Sequence, residues 1–147
     1  MQLPILNFSP FEPRIQQRGG DLYIFDVIRR KFVALTPEEW VRQHLIHELI
    51  LKNYSPALIS IESGLNVGKV KKRTDVLTFT NEGKPFLLVE CKAFDVELSE
   101  KTLNQAFQYN FQVKAPFFAL TNGFTHFVGK VIENGKWEVM DDFPNQN

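Results

Sequence analysis

Arg73-Thr74-Asp75-Val76-Leu77-Thr78-Phe79-Thr80 and Phe86-Leu87-Leu88-Val89-Glu90-Cys91-Lys92 are two β-rich runs separated by Asn81-Glu82-Gly83-Lys84-Pro85. Strand formers either side of a Gly/Pro/Asn cluster predict a β-hairpin. With Asn81 to Lys84 as the loop, Thr80 pairs with Pro85, and counting down the ladder sets Asp75 opposite Glu90 and Arg73 opposite Lys92. Because side chains alternate along a strand, Asp75, Leu77, Phe79, Phe86, Leu88, Glu90 and Lys92 then share one face. That face is apolar towards the turn and carries paired carboxylates at its open end, and like charges directly opposite each other destabilise a ladder. A bound metal ion would offset the repulsion. So would a surface network of Arg73, Asp75, Glu90 and Lys92, worth on the order of 0 to 1 kcal/mol for each exposed pair.

Helices are expected on both sides of this hairpin. Thr36-Pro37-Glu38-Glu39 combines a Thr N-cap, Pro at the first helical position and Glu three residues after the cap. The helix should run to about Asn53 and bury Trp40, Val41, Leu45, Ile46, Leu49 and Ile50, leaving Glu39, Arg42 and Glu48 as flanking charges. Leu58 to Ser63 alternates as a strand, and Gly64 to Lys72 reads as a basic, glycine-punctuated loop. After Lys92, Ser99-Glu100-Lys101-Thr102 opens a second helix with Leu103, Phe107 and Phe111 on its buried side and Gln105 and Tyr109 on another. Pro116 to Thr121 lacks polar alternation, as suits a strand covered on both faces, and the intervening helix favours parallel pairing with the strand ending at Lys92.

Further out, residues 1 to 13 read as an extended arm, and Arg14 to Ile28 as a hairpin across Gly19-Gly20. Arg29-Arg30-Lys31 reads as a solvated turn before Phe32 to Leu35, with a phosphate contact as the alternative. Turns at Asn122-Gly123 and Asn134-Gly135 bracket a C-terminal hairpin, and Asp141 to Asn147 are expected to fray. The expected architecture is α/β: a mixed sheet flanked by helices in αβββαβ order, with extra N- and C-terminal strands. It forms one domain over 1–147, with a core at about 36–123, a β arm at 1–35 and a hairpin at 124–140.

Composition narrows the function. A formal net charge of zero gives no global field for nucleic acid, so any such contact must be local. The lone cysteine, Cys91, cannot pair within the chain, and no apolar run approaches a membrane span; a cytoplasmic location is expected. His44, His47 and His126 show no zinc-ligand spacing, and no Gly-x-x-x-x-Gly-Lys-Ser/Thr loop is present. The local basic patch is Lys69, Lys71, Lys72 and Arg73, readable either as a phosphate-contacting element or as a solvated loop.

The Asp on one hairpin strand, the Glu-x-Lys on the next and the helical context resemble the PD-(D/E)xK nuclease superfamily. More narrowly, Thr36 to Gln43, Arg73-Thr74-Asp75, Val89-Glu90-Cys91-Lys92, Gln105-x-x-x-Tyr109 and Thr121-Asn122-Gly123 resemble the N-terminal nuclease domain of type I restriction enzyme R subunits. The resemblance implies a restriction-endonuclease-like core and a Mg2+-dependent endonuclease acting on DNA, with Mn2+ as substitute and other restriction or repair subunits as partners. An oligomer is compatible with it. Asp75, Glu90 and the Cys91 carbonyl would be the metal ligands, and Lys92 would act on the attacking water. Glu39 would be the acid from the first helix, with Glu48 as rival and Glu62 as a third candidate. Gln105 and Tyr109, with Lys71, Lys72 and Arg73, would contact nucleic acid, and Thr121 or Asn122 would border the site. The family's first element often reads Pro-Asp, where this chain has Thr74 before Asp75. The alternative is a catalytically silent nucleic-acid- or protein-binding module of the same fold.

Overall fold

Why the chain turns where it does is visible at its caps. In the computed structural model, which describes residues 2–61, 64–67, 70–73, 75–133 and 135–146, with only the strand course given for 64–67 and 70–73, the order begins with three strands. These are β1 (Ile15–Arg18), β2 (Asp21–Asp26) and β3 (Lys31–Ala34), an antiparallel meander turning at Gly19 and Gly20, both at positive φ. Helix α1 (Pro37–Leu51) starts where expected, the Thr36 hydroxyl accepting from the Glu39 N–H. It ends two residues early. Asn53 takes a left-handed φ of 70°, and the Tyr54 and Asn53 N–H groups donate to the Leu49 and Ile50 carbonyls, a Schellman cap that stops the helix before Pro56 does.

A 3-10 turn at Pro56–Leu58 leads into β4 (Ile59–Ile61). The stretch expected to be a basic loop instead forms a two-stranded antiparallel ribbon, β5 (Gly64–Val67) and β6 (Val70–Arg73). Loop reading failed there because glycine and lysine also suit a solvated hairpin. Next come β7 (Val76–Phe79), β8 (Pro85–Cys91), α2 (Glu100–Val113), β9 (Phe117–Thr121), β10 (His126–Val131) and β11 (Trp137–Met140). The six-stranded sheet runs β11-β10-β9-β8-β7-β4, antiparallel except for the β8/β9 pair, which is parallel as the crossover predicted.

The central hairpin keeps the expected register at its open end, with Val76, Leu77 and Thr78 opposite Val89, Leu88 and Leu87. Near the turn it does not. The loop is Asn81-Glu82-Gly83, with the Gly83 N–H donating to the Thr80 carbonyl and Gly83 at a φ of 80°, so Thr80 meets Lys84 rather than Pro85. A bulge between Thr78 and Phe79 absorbs the extra residue. Phe86 is thereby moved off the predicted face and packs beside Tyr54 and Phe117.

The two faces of the sheet are covered differently. Val76, Leu87, Val89, Cys91 and Ala119 pack with Trp40, Val41, Leu45 and Leu49 of α1 in the main core, while Leu77 and Leu88 pack with Tyr109 of α2. On α2 the buried residues are Ala106, Tyr109 and Asn110; Leu103 and Phe107 are half-buried and Phe111 is exposed, so the predicted inward stripe is rotated. The apolar spacing was real, but the sheet accepts the side carrying Tyr109. The ends are tied down. Leu6 is buried, Trp40 donates to the Pro4 carbonyl, and the expected fraying of the C-terminus is overturned by buried Phe143 and Pro144, the latter accepting from the Tyr54 hydroxyl at 2.6 Å. No helix among the described residues is long and apolar enough to cross a membrane.

Candidate functional site

Burying a charge is costly unless it is paired, so the polar residues inside this fold mark where structure has been constrained. The cluster begins on β2. Leu22, Ile24 and Asp26 alternate onto its inner side, and Asp26 is fully buried. Its Oδ1 accepts the Ile28 and Arg29 N–H groups, and its Oδ2 takes Arg29 Nε at 2.5 Å and Gln43 Nε2 at 3.1 Å. Burial raises the Asp26 pKa, and the backbone and side-chain bonds from Arg29 reverse that to a net lowering, so the group stays ionised.

The chain of pairs continues through α1. Arg29 Nη2 donates to Glu39 Oε2 at 2.8 Å; Arg42, 2% exposed, donates from Nη1 to Glu39 Oε1 and from Nη2 to Glu38 Oε2, each at 2.7 Å, and to Asp75 Oδ1 at 2.8 Å. The basic triplet is therefore not simply a solvated turn. Glu39 is no flanking charge either: its backbone serves the Thr36 cap while its carboxylate faces Arg29, Arg42 and Gln43. Opposite charges hold the Arg42 guanidinium well above its ordinary pKa although burial opposes it.

Asp75 closes the chain from just ahead of β7. Its Oδ2 accepts the Cys91 N–H at 2.8 Å, which pins it to the end of β8. Burial raises its pKa, and Arg42 and the Cys91 N–H offset only part of that rise. Glu90 and Lys92 follow on β8 and just beyond, with Lys92 Nζ 3.4 Å from Glu90 Oε1. Asp75, Glu90, Leu88, Ala106 and Tyr109 line one pocket holding about 10 Å³ of space, roughly one water. Tyr109, 9% exposed, lines that pocket with both acids, and burial first, then Glu90 and Asp75, raise its phenol pKa.

Among the predicted residues, Asp75, Glu90, Lys92, Glu39 and Tyr109 thus come to one end of the sheet. Gln105 lies one turn before Tyr109 on α2 and is exposed. Glu48 is elsewhere, its carboxylate accepting the Ser9 N–H and hydroxyl and so tethering the N-terminal arm. Thr121 stands opposite Cys91 in the parallel ladder, but its hydroxyl bonds His126 and the Gly123 N–H, and Asn122 caps the following turn. His44 and His47 pack against Phe11 of the arm. Glu62 and Lys69, and the side chains of Lys71, Lys72 and Arg73, lie outside the described residues.

Sequence reasoning missed Asp26, Arg29, Arg42 and Gln43. A signal existed for two of them: Asp26 alternates onto a face otherwise occupied by Leu22 and Ile24, and Arg42 stands three and four residues after Glu39 and Glu38, the spacing of helical ion pairs.

For a hard cation, the donors would be the Asp75 and Glu90 carboxylates and the Cys91 carbonyl, with both Asp75 oxygens already accepting bonds, from Arg42 and from the Cys91 N–H. These suit Mg2+, which prefers oxygen and keeps several waters. Among the described residues no group of three or more His, Cys, Asp or Glu is arranged about one metal position, so water or substrate oxygens would complete the shell.

A mixed α/β sheet between two helices, with paired acids and a lysine at the ends of adjacent strands, defines a class: an α/β domain with a polar site at one end of its sheet. The profile of the type I restriction enzyme R protein N terminus (HSDR_N) matches residues 37–144, well over half of the chain. The chain belongs to that family. A comparison with curated proteins returned no match.

Proposed function

We propose that this domain is a PD-(D/E)xK-type nuclease that hydrolyses DNA phosphodiester bonds with Mg2+. The observation that carries the reading is the shared pocket of Asp75 and Glu90, pinned by the bond from the Cys91 N–H to Asp75, with Lys92 beside Glu90 and Tyr109 lining the same pocket. Phosphodiester cleavage needs an activated water and stabilisation of charge on phosphate and leaving oxygen, which a bound Mg2+ supplies. Asp75, Glu90 and the Cys91 carbonyl would hold that ion. The Lys92 ammonium would orient the attacking water, Glu39 and Arg42 would hold Asp75 in place, and Tyr109 would close the pocket against bulk solvent.

The test is cleavage of mixed single- and double-stranded DNA with Mg2+ or Mn2+. Asp75→Ala, Glu90→Ala and Lys92→Ala should each lower the rate at least 100-fold, the order expected for loss of one electrostatic or acid–base group. Full activity in Asp75→Ala and Lys92→Ala would sink the assignment.

A specific observation favours a second reading, the catalytically silent binding module. Arg42 already neutralises Asp75 at 2.8 Å and bonds Glu38 and Glu39 besides. A metal ion must share Asp75 with that cation. Calorimetric Mg2+ titration separates the two: binding abolished by Glu90→Ala supports the nuclease, and DNA binding indifferent to Mg2+ supports the module.

A further inference from the structure

On the solvent side of the β1–β2–β3 meander, alternation collects Arg14, Gln16, Arg18, Asp21, Tyr23, Phe25 and Phe32. The Arg14 guanidinium lies 4.4 Å from the Phe25 ring centre and 5.6 Å from that of Phe32; that of Arg18 lies 5.4 Å from Tyr23 and 5.6 Å from Phe32. Phe25 and Phe32 meet edge to face at 5.3 Å. Both arginines are exposed, and among the described residues neither has a carboxylate within 4.0 Å, although Asp21 is the cross-strand neighbour of Arg18. Among the described residues, the one side-chain hydrogen bond either makes is from Arg18 Nε to Gln16 Oε1 at 2.7 Å.

We propose that this face is a binding surface for single-stranded DNA, with Arg14 and Arg18 contacting phosphates and the Tyr23, Phe25 and Phe32 rings stacking bases. The proposal rests on the nucleic-acid reading of the domain but uses none of the residues placed in its pocket. Half-buried rings beneath exposed guanidiniums suit a strand whose bases are unstacked, because every base offers a π-face and every linkage a charge. A duplex offers this flat surface only phosphates, since its bases are already stacked. Arg14 and Arg18 stand four residues apart, about 13 Å along an extended strand, so they engage separate phosphates while the rings lie between them. Leaving the rings for phosphate, the guanidiniums would expose the aromatic faces they now cover. β2 also joins this face to the pocket. Its far end carries Asp26, bonded to Arg29, which bonds Glu39 at the polar cluster, so a strand held here is anchored on the element that borders the site.

The experiment is fluorescence polarisation of a labelled oligothymidine in EDTA, which excludes metal, read across a range of salt concentration. The double variant Arg14→Gln/Arg18→Gln should bind at least 10-fold more weakly and flatten the log–log salt slope by about 1.4, two phosphate contacts at about 0.7 each on a single strand. Phe32→Leu should weaken binding about 5- to 150-fold, the loss of one stacked base, without changing the slope. Unchanged affinity in the double arginine variant, no binding by the wild type, or equal affinity for a duplex with no effect of Phe32→Leu would each overturn the proposal. If Phe32→Leu fails to fold, the exposed arginines carry the test alone. Cleavage abolished by Asp75→Ala while the arginine variants bind normally leaves the nuclease standing and overturns this face. Binding that depends on Arg14 and Arg18 in a wild type that cuts nothing supports this face and removes the nuclease.

Discussion

Two pairs of arginines lie on either side of β2 and live in opposite surroundings. Arg29 and Arg42 are set among Asp26, Glu38, Glu39 and Asp75, and the Arg42 side chain is 2% exposed. Arg14 and Arg18 are exposed and lie on half-buried aromatic rings, with no carboxylate within 4.0 Å among the described residues. The same side chain is structural in the first region and available in the second, and the partner decides which. Inside, the guanidinium fork suits several carboxylates at once and cannot leave without stranding them. Outside, stacking on a ring is worth about 0.5–1 kcal/mol, weak enough for a phosphate to replace.

Removing Arg42 should break the contrast hardest. Arg42→Ala leaves buried Glu39 and half-buried Asp75 without their shared cation, and loss of one partner of a buried pair costs about 3–5 kcal/mol. Urea unfolding at neutral pH should show that fall. Arg42→Lys should recover only part of it, because a single ammonium does not reproduce three directed bonds.

Asp26 should show the next largest effect, and it carries a pH signature. Its folded pKa lies below the ordinary 3.8, since the bonds from Arg29 outweigh burial. A depressed carboxylate adds stability above its unfolded pKa and loses it as pH falls through the folded value. Asp26→Asn should therefore cost about 1.5–3 kcal/mol at pH 7. The two unfolding curves should converge as pH drops below 3.8. A gap that persists undiminished in acid would mean that shape, not charge, is what Asp26 contributes.

Much of the fold was legible because local chemistry decided it. The Thr36 and Ser99 caps, the hairpin register from Val76 to Thr78 and the parallel β8/β9 pair all follow from spacing and turn residues. What was hidden depended on distant partners. The bulge at Thr78/Phe79 follows from a three-residue loop closing on Gly83, and it alone sends Phe86 to the other face. The helix α2 was assigned its greasier side, yet the sheet took the side with Ala106 and Tyr109, because Leu77 and Leu88 wait there. For the site, Asp75, Glu90 and Lys92 could be read from one hairpin. The inward pull on Glu39 was legible only in part: Arg42 stands at helical ion-pair spacing, but Arg29 reaches it from another element, ten residues away in sequence.

The outer arginines supply the smallest expected change in stability. Arg14→Ala and Arg18→Ala should each cost less than about 1 kcal/mol, because each forfeits only an exposed contact with a ring. That near-silence is informative beside the several kcal/mol expected for Arg42. Screening acts weakly on a buried pair and strongly on exposed charge, so added salt should leave the Arg42→Ala deficit nearly constant. If Arg14→Ala instead destabilised the fold as much as Arg42→Ala does, the meander's outer face would be part of the structural framework. Its arginines would then have no freedom to exchange rings for phosphate, and the division drawn at β2 would fail.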